Sequence, residues 1–401
     1  MHTLLLKDNI SPAADIIRAG GLVAVPTETV YGLAANGLDE AAVKKIYEVK
    51  GRPAVKPLSL MVHDADAMDE YCLSVPPAAR ALARRFWPGP LTIVLPAAPC
   101  VPDIVRAGGS TVGLRCPAHP MTLEALSLAG VPFAAPSANP SGAESPKTAE
   151  RVMEYFSGAI DAVIDGGVCG LGRESTIIDM SAAPYRILRQ GALDAADIAG
   201  ALVDEMTIIG ITGTTGAGKT TALEVLESLG ALVIDCDALY HQLLQDSAEL
   251  SAELSRAFPA AYESGALDRR ALADIVFSDA AQLDRLNSIT HTFITAELQR
   301  RLEAWAMQGG RLAAIDAIEL FSSGVAARCS HTFAVTADEA TRLSRIMARD
   351  GLSREAALSR IRAQRPGEYF AALCDTTLIN NGTKEEFADC CFNIFTEVLT
   401  K

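Results

Sequence analysis

The run Gly213-Thr214-Thr215-Gly216-Ala217-Gly218-Lys219-Thr220 places glycines, a cation and a hydroxyl in the spacing G-x-x-x-x-G-K-T. Glycine lets backbone N–H groups curl around phosphate oxygens, and a following helix adds its positive end. In this pattern Lys219 neutralises β- and γ-phosphates and the Thr220 hydroxyl holds Mg²⁺. Gly213, Thr215, Gly216, Ala217, Gly218 and Thr221 complete the cradle. About twenty residues on, ALVIDCD ends in Asp235 and Asp237. Carboxylates at such a strand end face the γ-phosphate and can take a proton from an acceptor hydroxyl. The competing role for one of them is to cap a helix starting at Ala238. Arg342, Arg345 and Arg349, three and four apart, share a helix face that can close over a polyphosphate or simply be solvated. No N-K-x-D follows, which disfavours a guanine-specific switch.

A second set of cations lies upstream. Lys50, Arg52 and Lys56 share the loop KGRPAVKPL, stiffened by Pro53 and Pro57. Arg115 ends one strand-like run and Arg189 follows another. Ser137 and Asn139 lie in a Pro-bounded turn, Ser175 and Thr176 in GRESTIID, and Thr29 closes PTET. Such a pocket suits a polyphosphate or a carboxylate. Without a Cys–His or Ser–His pairing it points to positioning and charge stabilisation rather than a covalent intermediate. For each Ser, Thr or Asn alone, turn capping is the competing role.

The elements that must position these groups alternate between strand and helix. The 401 residues allow two or three domains. Ser11-Pro12 opens a helix, Asp39 to Tyr47 forms another, and Leu22–Val25, Leu91–Leu95, Thr111–Arg115, Val131–Ala135 and 162–167 read as strands. MTIIGIT restarts the pattern at Met206, followed by strands at 231–235, 312–316 and 331–336. The expected division is a first domain over 1–195, a short linker over 196–205 and a second domain over 206–401. The net charge of −14 divides into −6 up to Glu205 and −8 beyond. Neither part is a nucleic-acid binder by bulk charge. No apolar run reaches membrane-spanning length, and the start MHTLLLKDNI does not read as a signal peptide. Nine cysteines without a C-x-x-C pair fit free thiols in a reducing cytoplasm.

Residues 8–192 resemble the YrdC-like threonylcarbamoyl-adenylate synthases. The resemblance is carried by PTETVYGL, KGRPAVKPL, FWPGPLT, TVGLRCPAHP, APSANPSG, GRESTIID and ILRQGA. It implies a twisted, open α/β sheet and formation of threonylcarbamoyl-AMP and pyrophosphate from L-threonine, bicarbonate and ATP. The adenylate would pass to a tRNA threonylcarbamoyl transferase, with no strong direct nucleic-acid binding and no membrane. Arg52, Lys56, Thr111, Ser137, Ser145 and Arg189 match positions that hold ATP, with Lys50 and Asn139 beside them. Arg52 and Lys56 are expected to act in catalysis. Thr29, Arg115 and Ser175 match positions around threonine. Met61 and Gln190 depart from the family pattern.

The remainder, from Met206, resembles dephospho-CoA kinase. The carrying segments are the loop at 213–220, IDCDALYHQLL, GALDRRALADIVF, SITHTFI, AIDAIELFSSG, RLSRIMARDGLS and INNG. The resemblance implies a parallel sheet flanked by helices, a helical lid, and transfer of the ATP γ-phosphoryl to the ribose 3′-hydroxyl of dephospho-CoA. Asp237 matches the family's base, and Arg345 and Arg349 are expected to meet substrate. Thr214, Thr292 and the run Ala317-Ile318-Glu319 depart from the pattern.

Overall fold

The computed structural model describes residues 2–262 and 266–400 and divides into two compact units. Gly265, which opens GALDRRALADIVF, lies outside the described residues. The first unit runs to Glu205 and also takes in Met307–Gly309; the second holds the rest from Met206. The segment 192–205, which reads as a short helix plus joint, forms the helix Ala195–Asp204 with Glu205 as its C-cap. It belongs to the first unit and buries Ile198, Ala199, Ala201, Leu202 and Val203, so 196–205 is packed helix rather than a free linker. An apolar stripe at helical spacing gives this segment a face to bury.

The first unit carries one ten-stranded mixed sheet. Its order is Leu4–Leu6, Ala162–Ile164, Val23–Val25, Gly32–Asn36, Phe133–Ala134, Ser59–Met61, Thr111–Arg115, Leu91–Pro96, Thr176–Asp179 and Arg186–Arg189. Parallel and antiparallel pairs both occur: Leu91–Pro96 runs parallel to Thr176–Asp179 and antiparallel to Thr111–Arg115. Val23, Val25, Phe133, Ala162 and Ile164 pack with Ala13, Ile17, Ala125 and Leu126 of the helices Ser11–Arg18 and Pro120–Ala129. Fully burying an Ile or Phe there contributes about 1.5–3 kcal/mol. The cationic loop is launched by the helix Glu40–Lys50. Asp39 caps its start by accepting from the N–H groups of Ala41 and Ala42, and Gly51, at φ 59°, ends it in the left-handed region.

The second unit is built on a five-stranded parallel sheet. Its order is Leu232–Asp235, Leu312–Asp316, Thr207–Gly213, His331–Thr336 and Thr376–Ile379. Ile209, Ile211, Phe333, Val335 and Leu378 pack against the helices Lys219–Ser228 and Lys384–Thr400. In an open parallel sheet the crevice lies beyond the carboxyl ends, where the chain changes direction across the sheet. The register brings Asp235 opposite Asp316 and Asp316 opposite Ile211, so carboxylates and the glycine-rich loop share one edge. Arg342, Arg345 and Arg349 share the helix Glu339–Asp350, which packs on the helix Arg354–Arg362 through Leu343, Ile346, Ala357 and Ile361.

Candidate active sites

In the second unit the loop between Gly213 and Lys219 turns on three glycines with positive φ: Gly213 at 137°, Gly216 at 79° and Gly218 at 101°. A side chain at Gly218 would collide with the Asn380 amide, and one at Gly213 with the Val335 carbonyl. The loop ends on the N-terminus of Lys219–Ser228. Thr214, Thr215, Gly216, Gly218, Lys219 and Thr220 line a cavity of about 520 Å³ together with Asp237, Asp316, Arg345, Arg349, Arg360 and Gln364. Ala217 is fully buried in the core and Thr221 is nearly so, supporting the loop from behind.

Protein groups hold the loop open from outside. Arg342 donates from Nε to the Thr215 carbonyl (3.0 Å), and Gln364 accepts the Thr215 N–H (3.0 Å). Asn380 donates to the Ala217 carbonyl (2.8 Å). Arg345, expected to meet substrate, spends its Nη groups on protein acceptors: the Ala217, Asn380 and Gly382 carbonyls and the Asn380 side-chain oxygen. It lines the cavity while bracing its wall. Arg349 is tied to Asp350 at 2.7 Å, and Asp350 also receives Arg360.

The two aspartates of IDCD divide their work. Asp235 caps the helix Cys236–Asp246, accepting from the N–H groups of Asp237 (2.8 Å) and Ala238 (3.0 Å). Asp237 lines the phosphate cavity and also a neighbouring cavity of about 200 Å³ walled by Tyr240, Asn287, Thr290, His291 and Ile294. Asp237 therefore stands on the wall common to both cavities and can be reached from either. Sequence reasoning did not assign Asp316 a role. It lies 3.6 Å from Lys219 Nζ, and its Oδ1 is buried without a hydrogen-bond partner. Burial pushes its pKa up to about 6 against the opposing pull of Lys219. The available signal was the strand LAAID, ending in Asp as ALVID does.

In the first unit Arg52, Arg115, Ser137, Ser175 and Arg189 line one cavity of about 150 Å³, with Gly32, Met61, Thr92 and Glu174. Arg189 donates to the Ser175 carbonyl (2.8 Å) and hydroxyl (3.1 Å), and Ser175 also meets the Thr92 hydroxyl at 2.8 Å. Gly191 permits this fold-back, because a Cβ there would clash with the backbone of Glu174 and Ser175. Ser145 donates to Glu174 at 2.7 Å, which holds the Glu174 carboxyl below its ordinary pKa. Burial lowers the pKa of both Arg52 and Arg189, so exposing them to an anion is favourable.

Arg115 is already engaged. Its Nη2 donates to Glu28 (2.7 Å) and Thr29 (2.8 Å), and its Nε to the Gly89 carbonyl (3.2 Å). Thr29 is fully buried and reaches the site through Arg115. The Glu28 partner was not foreseen; a Glu in PTET carries no mark of its burial.

Lys50 corrects the expectation that it lines this pocket. Its Nζ donates to the carbonyls of Ser137 and Asn139, so it pins the turn from behind, and burial beside Arg52 lowers its pKa to about 7. Asn139 is likewise a turn residue, donating to the Pro140 and Ala143 carbonyls, and is absent from the cavity wall. Lys56 is exposed and Thr111 half-buried at the far end of its strand; neither is on the wall.

Comparison with known proteins matches both units. A family model of Sua5, YciO and YrdC proteins, described as "Telomere recombination", matches residues 15–191, and a dephospho-CoA kinase model matches residues 207–386. A threonylcarbamoyl-AMP synthase of Pyrococcus abyssi is 50% identical over 186 residues, covering 46% of this chain and 55% of that protein. The chain spans about half the length of the first three synthases it matches, 53–55% of each. A putative threonylcarbamoyl-AMP synthase of Mycobacterium tuberculosis is 36% identical over 202 residues, covering 50% of this chain and 93% of that one. A dephospho-CoA kinase of Geobacter sulfurreducens is 38% identical over 183 residues, covering 45% of this chain and 93% of that one. The chain therefore belongs to two families at once: through its first unit to the Sua5/YciO/YrdC family of threonylcarbamoyl-AMP synthases, and through its second to the dephospho-CoA kinases.

Proposed function

We propose that the chain is a bifunctional enzyme with two separate ATP-using sites. The first unit makes threonylcarbamoyl-AMP from L-threonine, bicarbonate and ATP. The threonine carboxylate is held near Arg115, whose Nη1 has no acceptor among the described residues, with Thr29 and Ser175 beside it. The amine of threonine forms a C–N bond to the bicarbonate carbon as water leaves, giving a carbamate. A carbamate oxygen then attacks the α-phosphorus, and the bond to pyrophosphate breaks. Arg52, Arg189 and the exposed Lys56 neutralise charge gathering on the triphosphate, and Ser137 and Ser145 orient it. The reading is carried by three guanidinium groups, Arg52, Arg115 and Arg189, on one cavity of an acidic unit. Its net charge of −6 supports handing the adenylate to a tRNA threonylcarbamoyl transferase over direct tRNA binding.

The second unit transfers the γ-phosphoryl of ATP to the 3′-hydroxyl of dephospho-CoA. Asp237 accepts the hydroxyl proton as the oxygen attacks the γ-phosphorus, and ADP leaves with its charge held by Lys219 and the loop N–H groups. The placement of Asp237 on the shared wall of two cavities supports this role. Thr220, Asp237 and the partnerless oxygen of Asp316 are hard donors that fit Mg²⁺ and would hold it beside the phosphate cavity. When bound, Mg²⁺ would neutralise the β- and γ-phosphate oxygens. Unpaired thiols at all nine cysteines support a cytoplasmic setting; among the described residues no helix is long and apolar enough to cross a membrane.

Two assays test the proposal. Pyrophosphate release should require both L-threonine and bicarbonate, and release without either removes the first activity. ADP formation should depend on dephospho-CoA and not on uridine or shikimate; the reverse preference makes the second unit a different kinase.

A further inference from the structure

The second unit holds a third cavity, of about 480 Å³, between residues 318–322 and the segment 363–373. We propose that it is the subsite for the diphosphate and amide arm of the acceptor, with Arg365 meeting the diphosphate. This inference rests on the kinase reading above.

Continuity is the first argument. Ile318 lines each of three cavities in this unit: the phosphate cavity, the one beside Asp237 and this one. Glu319 lines the latter two, and Gln364 joins this cavity to the phosphate site. An acceptor with its hydroxyl at Asp237 can therefore pass across Ile318 and Glu319 without leaving a walled path. Size is the second. The cavity beside Asp237, at about 200 Å³, falls below the 300–1,000 Å³ usual for a whole ligand. It has room for a nucleoside but not for a nucleoside diphosphate carrying a long arm. The third cavity supplies the missing space.

Wall chemistry is the third argument. The acceptor beyond its nucleoside is first doubly anionic, then an arm of alternating amides and short alkyl stretches. Arg365 is an exposed cation, stacked 5.1 Å over the Tyr369 ring, and forms no ion pair among the described residues. An unpaired guanidinium fixed by an aromatic face is suited to phosphate oxygens. Around it Ile318, Tyr369 and Leu373 expose 36%, 41% and 41% of their surface, above the buried Phe370. These apolar groups gain by covering alkyl segments. Ser322 and Glu319, hydrogen-bonded to each other, offer acceptors for amide N–H groups. The Glu319 carboxylate also repels the diphosphate and directs it toward Arg365.

The test compares Arg365→Ala and Tyr369→Ser with the unaltered full chain. It uses dephospho-CoA as acceptor and adenosine as an arm-free competitor. Both variants should raise KM for dephospho-CoA, Arg365→Ala by about tenfold. KM for ATP, kcat and the inhibition constant of adenosine should stay unchanged. An unchanged KM for dephospho-CoA in both variants overturns the proposal, as does an equal weakening of adenosine. If the unaltered chain fails to phosphorylate dephospho-CoA, the kinase reading itself fails, which is a distinguishable result. Unchanged KM for ATP shows that the variants are folded.

Discussion

On the proposed reading the two units solve one problem, holding a triphosphate in an acidic protein, with different materials. The second uses backbone: N–H groups freed by Gly213, Gly216 and Gly218, a helix N-terminus and a single lysine. The first uses side chains: Arg52 and Arg189, brought from residues far apart in sequence to one cavity that Arg115 also lines. A backbone cradle has to be contiguous, because the groups that bind are neighbours along the chain. A side-chain cradle can be assembled from anywhere the sheet allows. The first type is therefore tolerant of what flanks it and intolerant of changes within eight residues. The second spreads its dependence over many contacts, each held by a brace such as Lys50 or Glu28.

The sharpest way to break this contrast is Lys219→Ala. Kinase turnover should fall by about three orders of magnitude with threonine-dependent pyrophosphate release unchanged, measured on one preparation. Next is Asp237→Asn, which should lower kinase kcat by about 10²–10⁴-fold while KM for ATP stays put. Wild-type-like turnover would remove Asp237 as the base. Arg52→Ala should cost the first unit about 10²-fold in pyrophosphate release and leave the kinase untouched. A loss well below Lys219→Ala is expected, because Arg189 remains to face the triphosphate.

Smaller effects separate the two sites by pH. The Asp316 pKa is raised from 3.8 to about 6, so the folded state holds its proton more tightly than the unfolded one. Its favourable contribution is complete below pH ~4 and is lost as pH rises to about 6. Thermal melts should thus show Asp316→Asn gaining on the wild type over that window and holding its advantage above it. Lys50 runs the other way. Its pKa is lowered from 10.5 to about 7, so the wild type should gain stability over Lys50→Met as pH rises from about 7 to 10.5. Lys50→Met should also weaken the first activity only by a small factor, through the turn it supports. A loss as large as that of Arg52→Ala would return Lys50 to the cavity wall.

The difference in materials also explains what could be read in advance. The glycine-rich loop, with a strand before it and a helix after it, carries its geometry in eight consecutive letters. Strands such as Leu91–Pro96, Leu312–Asp316 and His331–Thr336 stand out because β-branched and apolar residues run together in them. Thr376–Ile379 does not: two threonines and two aliphatics become an edge strand only through pairing with Phe333–Thr336. Lys50 reads as one of three cations on a rigid loop, and only tertiary packing shows that two carbonyls wait behind it. The pairing of Arg115 with Glu28 joins residues 87 apart, and the tie of Gln364 to Thr215 residues 149 apart. No local pattern encodes either. Asp235 and Asp237 were interchangeable as letters; the cap geometry of Asp235 distinguishes them.

The central claim is that one chain holds two independent triphosphate sites of unlike construction. Counting bound non-hydrolysable ATP analogue per chain, at a concentration that just fills both wild-type sites and leaves a hundredfold weaker site nearly empty, tests it most directly. The account predicts two per wild-type chain, one in Lys219→Ala, one in Arg52→Ala and none in the double variant. One per wild-type chain, or loss of both in either single variant, would contradict it.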